Sequence, residues 1–284
     1  MAKAYLGSTQ LKKAYIGSTA IKKIYRGSTL IWSGYQAETL AQKVRIEANG
    51  GTVIDLEWID LVISTLKTLG IYSNCKLLTD ANFGIKKDIT GAVSKLYDIS
   101  GNNNDAVQTT GASQPIWSLI NGRGVINYVG SKFLTTNIIN HNVGIGDFTY
   151  YVKINIISYT TGAPGAGFFS NGEYAPSFII PATNHTDLAL YWGGYKDSGV
   201  IIPLSVNHSV VTSRKTGIFT FYDNTMVCPN TYSVPTSLTN AKMVIGRSGV
   251  LYSPDVFKGF INTNIFFNIA LTQEQISILY NLGL

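Results

Sequence analysis

From Lys87 onward the sequence is a series of short segments rich in β-branched and aromatic residues, separated by Gly, Pro, Asn and Asp. The clearest of these segments are residues 147–156, 188–192, 209–212, 218–222 and 241–246. Short strands that alternate with turns at this spacing favour two packed antiparallel sheets. The sequence therefore predicts a mainly β protein whose largest part is a sandwich or jelly roll.

Before these strands lies a segment, residues 36–89, that we interpret as a helical connector. Residues 37–48 can form a helix or an extended linker that ends at Asn49, and apolar residues recur at helical spacing from Leu56 to Leu69. Thr52 is placed to start this second helix and Gly70 to stop it. Its acidic residues, Glu57 and Asp60, are expected on the solvated face. Near the end of the chain, residues 272–275 (TQEQ) have the pattern of a capping box that opens a short helix.

The first 35 residues form a separate basic segment, in which one ten-residue phrase occurs three times (MAKAYLGSTQ LKKAYIGSTA IKKIYRGSTL). Gly-Ser-Thr marks a turn in each phrase, and residues 10–16 and 20–26 between the turns suit short strands. The segment carries six bases and no acid, which accounts for the whole net charge of +6. A ribbon this short is not stable in isolation. We therefore expect it to fold against other copies of the chain or against a larger assembly. Nucleic acid is not the expected partner, since no nucleic-acid-binding motif accompanies the charges; a flexible basic leader is the alternative.

Two stretches resemble a known family of domains. The first runs from KLYDISGNNNDAVQ (95–108) through Gln114-Pro115 to INGRGVINYVGSKFL (120–134), and the second is KGFINTNIFFNIALTQEQISILYN (258–281). Both are similar to the opening and closing parts of concanavalin A-like, laminin G-like jelly-roll domains. The tyrosine-glycine-serine-threonine repeats, with TLKTLGIYSNCKLL (65–78), resemble N-terminal parts of structural proteins from tailed bacteriophages. The resemblance implies three parts: residues 1–35 as anchor, 36–89 as connector and 90–284 as jelly roll.

The family includes glycan-binding and glycan-cleaving domains, and the acidic residues decide between them. Cleavage of a glycosidic bond uses two carboxylates on opposite sides of the bond. Here the acids of the jelly roll are scattered singly, as at Asp147, Glu173 and Asp255. We therefore predict a protein that is not an enzyme, with a glycoside hydrolase as the weaker alternative.

Glycan binding requires aromatic rings for the apolar faces of sugars and polar side chains for their hydroxyls. Two clusters have that composition, although alternate aromatic residues of a strand also point into a core. The predicted glycan-binding residues are Asn184, Asp187, Tyr191, Trp192, Tyr195 and Asp197 in the first cluster and Tyr222, Asp223 and Asn224 in the second.

One turn, residues 98–105 (DISGNNND), is rich in side-chain oxygens. Asp98, Asn102, Asn104 and Asp105 offer a set that calcium could use. Asn and Asp also stabilise such turns through their own backbone. Calcium is thus a candidate cofactor, and the sequence calls for no other metal or cofactor.

The resemblance to phage structural proteins implies a virion structural protein of a tailed phage, a head or tail fibre or decoration component made in the host cytoplasm. The jelly roll would adhere to a cell-surface glycan, or, in the alternative, serve only as an architectural subunit. We expect no membrane span or leader. The repeats would bind other virion proteins and form a homo-oligomer, with a trimer favoured. The predicted anchor residues are Tyr5, Lys12, Lys13, Tyr15, Lys22, Lys23, Tyr25 and Arg26.

Overall fold

A computed structural model describes the backbone of residues 34–130, 132–139, 146–158, 195–233, 241–246 and 258–284, and of short strands before residue 34 and between residues 165 and 191. Side chains are described in the same ranges except at residues 137–139, 195–196 and 241–242 and in those short strands.

The basic N-terminal segment contains three two-stranded antiparallel hairpins. Their strands are β1 (Tyr5–Leu6), β2 (Thr9–Gln10), β3 (Ala14–Ile16), β4 (Thr19–Ile21), β5 (Lys23–Arg26) and β6 (Thr29–Ser33). Leu6 pairs with Thr9, Ile16 with Thr19 and Arg26 with Thr29, so each hairpin pairs the residue before a Gly-Ser with the Thr after it. The predicted strands 10–16 and 20–26 are wrong in one respect, because each is divided between two hairpins.

The predicted anchor residues fall within this segment. Tyr5, Tyr15, Lys23, Tyr25 and Arg26 lie on its strands, and their side chains are outside the described part of the structure. Lys12, Lys13 and Lys22 lie wholly outside it. Their role in anchoring stays a prediction.

Two helices follow the hairpins: α1 (Ala37–Ala48) and, after the short strand β7 (Thr52–Val53), α2 (Leu56–Thr68). The predicted helix start at Thr52 is wrong. Thr52 pairs with Ile85 in a strand, and Asp55 caps α2 by accepting a hydrogen bond from the backbone N–H of Trp58 at 2.9 Å. Gly70, with φ +70°, follows the last residues of α2 as predicted.

Asp60 of α2 is buried, which corrects its predicted place on a solvated face. Its carboxylate accepts hydrogen bonds from the backbone N–H of Gln36 at 2.7 Å and from the Thr39 hydroxyl at 2.9 Å. This carboxylate therefore joins the start of α1 to α2. A third helix, α3 (Gln273–Leu282), begins with the predicted capping box between Thr272 and Gln275. No helix in the described ranges has the length and apolar character needed to cross a bilayer.

The remaining strands build the body of the protein. They are β8 (Cys75–Asp80), β9 (Gly84–Lys87), β10 (Val93–Leu96), β11 (Ala106–Val107), β12 (Ile116–Ile120), β13 (Arg123–Asn127), β14 (Leu134–Ile139), β15 (Phe148–Ile156), β16 (Gly165–Ala166), β17 (Ser177–Ile179), β18 (Asp187–Tyr191), β19 (Tyr195–Ile201), β20 (Asn207–Lys215), β21 (Ile218–Asp223), β22 (Met226–Ser233), β23 (Ala241–Ile245) and β24 (Gly259–Phe267).

These strands form two antiparallel sheets of a sandwich, which confirms the predicted mainly β fold. One sheet has the order β23-β14-β11-β10-β9-β7. The other has the order β12-β13-β24-β15-β20-β21-β22, with β8 also paired to β24. A further sheet has the order β16-β17-β18-β19. The core between the two large sheets includes Leu96 and Leu134 from one and Val152, Phe221 and Phe266 from the other.

The helices form a third layer on the outer face of the β15–β24 sheet. Tyr151 and Ile265 on that face join Ile59 and Val62 of α2 and Leu279 of α3 in a second buried apolar cluster. Strands from both sides of residue 90 meet in these sheets, since β8 pairs with β24 and β9 with β10. The segment predicted as a connector thus contributes strands and a covering layer to the sandwich.

The capping box of α3 yields a stability prediction. Replacing Thr272 with Ala removes the hydroxyl that accepts from the Gln275 N–H, so Thr272→Ala should lower the free energy of unfolding by about 1 kcal/mol. The control Thr272→Ser keeps the hydroxyl and should stay close to the unaltered protein. Urea unfolding measures both; equal stability of all three proteins would contradict the role of the cap.

Candidate functional site

The outer face of the large sheet changes from apolar to polar along its strands. Three successive cross-strand rows on β20, β15 and β24 are Val211–Tyr151–Ile265, Ser209–Lys153–Thr263 and Asn207–Asn155–Phe260. The first row lies in the cluster beneath the helices. The helical layer ends above the next two rows, which leaves polar side chains of the sheet facing an open pocket.

A fork in the sheet forms another wall of this pocket. Strand β24 pairs with β13 at Phe260 and, from Thr263 onward, with β8 along the same edge. Where the two neighbours diverge, side-chain amides replace the backbone ladder. The N–H of Gly124 donates to Asn82 Oδ1 at 2.7 Å, and that of Ile126 donates to Asn262 Oδ1 at 3.4 Å. The fork is therefore open yet held by hydrogen bonds.

The pocket has a volume of about 350 Å³. We call it the fork pocket. Its described lining combines amides, two cations, one carboxylate and two aromatic rings. The lining residues are Trp58, Asp80, Asn82, Ile120, Asn121, Arg123, Gly124, Val125, Lys153, Asn155, Asn207, Phe260, Asn262, Thr263 and Gly283.

The carboxylate of the fork pocket, Asp80, is buried and occupied by donors. Its Oδ1 accepts from the backbone N–H and the side-chain amide of Asn82, at 2.7 and 2.9 Å, and its Oδ2 accepts from the Thr263 hydroxyl. Burial raises the pKa of Asp80, and the hydrogen bonds from Thr263 and Asn82 oppose that rise. This carboxylate fixes the floor of the pocket.

The two cations come from neighbouring walls. The Arg123 guanidinium lies over the ring of Trp58, 5.5 Å from its centroid. The Lys153 ammonium donates to the backbone oxygen of Gly283 at 2.5 Å, just past the end of α3. Burial lowers the pKa of Lys153; the charge of Asp80 partly opposes this, and that of Arg123 reinforces it. Both cations therefore contribute positive charge to the fork pocket.

The amides at the mouth of the pocket have hydrogen-bonding capacity beyond the bond that joins them. Asn155 Nδ2 donates to Asn207 Oδ1 at 3.1 Å, and each amide has a second polar atom. A second pocket of about 330 Å³ shares Lys153 and Asn207 with the first and is completed by Ser209, Tyr280 and Asn281. Lys153 therefore stands at the junction of two adjacent cavities.

The first predicted glycan-binding cluster lies largely outside the described side chains. Asn184 and Trp192 are in undescribed segments, and Asp187, Tyr191 and Tyr195 are placed by their backbone on β18 and β19, where Tyr191 pairs with Tyr195. Asp197 on β19 is half-buried, and its backbone oxygen accepts from the Tyr232 hydroxyl at 2.8 Å. None of these residues lines the fork pocket.

The second predicted cluster has structural contacts instead of an open surface. Tyr222 is buried in the apolar cluster under the helices. Asp223 bonds His208 Nδ1 at 2.8 Å, with both side chains largely buried. Asn224, with φ +57°, turns the chain between β21 and β22, and its Oδ1 accepts from the Ser209 N–H at 3.0 Å. The sequence prediction missed these contacts because strand alternation shows which residues share a face but not which face other elements cover.

The oxygen-rich turn is a hydrogen-bonded structure on its own. The carboxylate of Asp98 accepts from the N–H groups of Leu78, Ser100 and Asn104 and from the Ser100 hydroxyl, at 2.8 to 2.9 Å. Asn102 and Asn104 donate their amides to the backbone oxygens of Cys75 and Lys76. Asp105 accepts two bonds from Arg45. Among the described residues no group of three or more His, Cys, Asp or Glu side chains could hold a metal ion.

The sequence reasoning missed Arg123, Lys153, Asn155 and Asn207, which come from three separate strands. One signal was available. In TYYVKINI (149–156) the face that carries Thr149 and Tyr151 continues as Lys153 and Asn155, so the outward face becomes polar halfway along the strand.

Comparisons with known proteins establish the fold. No family model and no curated protein matches the sequence. Among solved structures, domain 4 of AbnA, an extracellular GH43 arabinanase from Geobacillus stearothermophilus solved with arabinotriose, aligns with TM-score 0.55 and 14% identity over 73% of this chain and 98% of the domain.

Two toxin structures align over about half of their own length. The binding domain of Paraclostridial Mosquitocidal Protein 1 aligns with TM-score 0.54 and 14% identity over 74% of this chain and 52% of the other. A botulinum neurotoxin type C structure, whose cell entry is described as dependent on two ganglioside molecules, aligns with TM-score 0.55 and 15% identity over 75% of this chain and 52% of the other. At these identities the likeness is one of β-sandwich fold.

The Asp98 turn yields a prediction that also tests calcium binding. In Asp98→Asn, an NH2 group replaces one carboxylate oxygen and faces backbone N–H groups that donated to that oxygen. The variant should therefore lose about 3 kcal/mol of unfolding free energy. The loss should be the same in calcium and in EDTA, because the bonds need no ion.

The matched control is Asp88→Asn in an exposed turn. Its hydrogen bonds from Thr90 and Ala92 all reach Oδ1, which Asn retains. Its loss in urea unfolding should stay below about 1 kcal/mol. A loss at Asp98 that appears only in calcium would show that the turn binds the ion.

Proposed function

We propose that the chain is a carbohydrate-binding β-sandwich and that the fork pocket holds the sugar. The observation that carries the proposal is the polar half of the sheet face, where the amides of Asn155 and Asn207 stand beside Arg123 and Lys153 at an open cavity. Amide and cationic donors suit sugar hydroxyls, and the ring of Phe260 offers apolar surface for the C–H face of a sugar.

The fold neighbours support this proposal by what their titles describe. One was solved with arabinotriose, and another is a neurotoxin whose cell entry depends on gangliosides. Sandwich domains of this shape therefore serve carbohydrate recognition in other proteins. The fork pocket lies where this chain itself offers donors and aromatic surface for the same purpose.

We propose binding and not cleavage. The described lining of the fork pocket contains a single carboxylate, Asp80, which is buried and already bonded to Asn82 and Thr263. Glycosidases generally use two carboxylates on opposite sides of the scissile bond. A hydrolase therefore remains the weaker alternative.

Alanine variants at the pocket mouth test the proposal. Asn207→Ala and Asn155→Ala each remove hydrogen-bonding groups from a sugar, and we expect affinity for the best saccharide to fall about tenfold. Binding would be measured on a panel of neutral and acidic oligosaccharides and then by calorimetry. The matched control is Asn230→Ala on β22, outside the pocket, which should bind normally.

A further variant, Trp192→Ala, tests the cluster that the sequence predicted. Loss of binding in Trp192→Ala with full binding in both pocket variants would place the sugar in that cluster. Absence of binding to any saccharide on the panel would contradict carbohydrate binding altogether.

We further propose that the domain is displayed on a virion of a tailed phage, as a head or tail fibre or decoration component made in the bacterial cytoplasm. The support is the basic repeat, whose three small hairpins are too short to be stable unless packed against a partner. The repeats would contact other virion proteins and assemble copies of the chain, with a trimer favoured. Several copies on one particle make weak sugar sites useful through avidity. A purely architectural subunit is the alternative.

Removal of residues 1–35 tests the assembly role. Light scattering of the full chain should give a defined oligomer, and the truncated chain should be a folded monomer that still binds sugar. A monomeric full chain would contradict self-assembly and leave another protein as the partner of the repeats. An oligomer that survives truncation would assign assembly to the sandwich.

A further inference from the structure

We infer that the ligand of the fork pocket is an acidic saccharide, whose carboxylate or sulfate lies between Arg123 and Lys153. The inference rests on the proposed sugar site and names its ligand class. It depends on how the fold arranges charge in that pocket. Three features support it: an uncompensated arginine, a lysine held beside it, and a carboxylate committed elsewhere.

Arg123 is exposed at the pocket rim on β13. Its guanidinium lies over the Trp58 ring, 5.5 Å from the centroid, and beside Gly283, and the structure records no ion pair for it within the described residues. This cation–π contact restrains the guanidinium at the rim of the pocket. A guanidinium presented in this way can donate two parallel hydrogen bonds to a carboxylate or a sulfate.

Lys153 is half-buried on β15, and its ammonium is fixed by one hydrogen bond to the backbone oxygen of Gly283. An ammonium has three donors, so two remain for a ligand. Burial and the charge of Arg123 both disfavour the protonated form, which is seen in the lowered pKa of Lys153. An anion placed between the two cations would remove this repulsion, whereas a neutral sugar would not.

Asp80 is the carboxylate of the described pocket lining, and it accepts its hydrogen bonds from groups of the protein itself. The Thr263 hydroxyl and both nitrogens of Asn82 occupy its two oxygens. Asp80 attracts the Lys153 ammonium through its charge, whereas the hydrogen bond recorded for that ammonium goes to the Gly283 oxygen. Asp80 is already buried, so a ligand that covers the pocket removes water mainly from the two cations, and a negative group on the ligand compensates for that cost.

Matched ligand pairs give the decisive experiment. Each pair differs in charge: sialyllactose against lactose, and trigalacturonate against its trimethyl ester. Calorimetry on the full chain should show at least tenfold tighter binding of one acidic member over its neutral partner. Raising NaCl from about 0.05 to 0.5 M should weaken the acidic member several-fold and leave the neutral one unchanged, because salt screens exposed charges.

Substitutions that change the charge of the pocket show which residues produce the preference for the acidic member. Arg123→Gln should weaken binding of the acidic member at least fivefold more than binding of the neutral member, because Gln keeps a hydrogen-bond donor and loses the charge. Because Arg123 is exposed, the fold should not change. Arg123→Lys should restore part of the preference, since it keeps the charge and loses the planar fork. Lys153→Gln should act in the same direction, with an unchanged thermal midpoint as the check on folding.

Two results would overturn the inference. Equal affinity for the acidic and neutral members would refute an acidic ligand while leaving the sugar site in place. An acidic preference that persists unchanged in Arg123→Gln and Lys153→Gln would place the anion elsewhere. Failure of both acidic and neutral saccharides to bind would remove the proposed function together with this inference.

Discussion

Strand β24 is the element on which the rest of the structure depends, because it has to satisfy two different neighbours along one edge. It pairs with β13 near Phe260 and with β8 beyond Thr263, while β15 runs beside its full length on the other edge. A backbone ladder cannot continue through the point where β13 and β8 diverge. Asn82 and Asn262 supply the missing partners from their side chains, and the opening that results is one wall of the fork pocket.

The helical layer follows from the same sheet. Where Tyr151, Val211 and Ile265 present an apolar outer face, α2 and α3 cover it; where the next rows turn polar, the cover stops. Covering Lys153 and Asn155 completely would leave their polar groups buried without enough partners, which costs more than the added apolar contact returns. The point on the sheet where the helical cover ends is therefore set by the change from apolar to polar side chains along each strand.

Local patterns predicted the elements far better than the site. The strands around residues 148–156 and 218–223 and the capping box at Thr272 depend on neighbours in sequence, and the structure has them. The fork pocket brings Trp58 of α2, Arg123 of β13 and Lys153 of β15 together, which requires the order of strands and the register between them. The sequence assigned Tyr222 to a glycan-binding surface because it precedes the polar turn residues Asp223 and Asn224, yet the helices cover its face.

The same register explains how two like charges can be kept close. Arg123 makes a cation–π contact with Trp58 at the start of α2, and Lys153 donates to the backbone of Gly283 at the end of α3. Both helices are fixed to the sheet by the apolar cluster that contains Tyr151 and Ile265. The positions of the two cations therefore depend on the packing of the helical layer against the sheet and not on one loop. Side chains positioned in this way would lose little conformational entropy on binding the proposed acidic sugar, which favours affinity at a polar pocket.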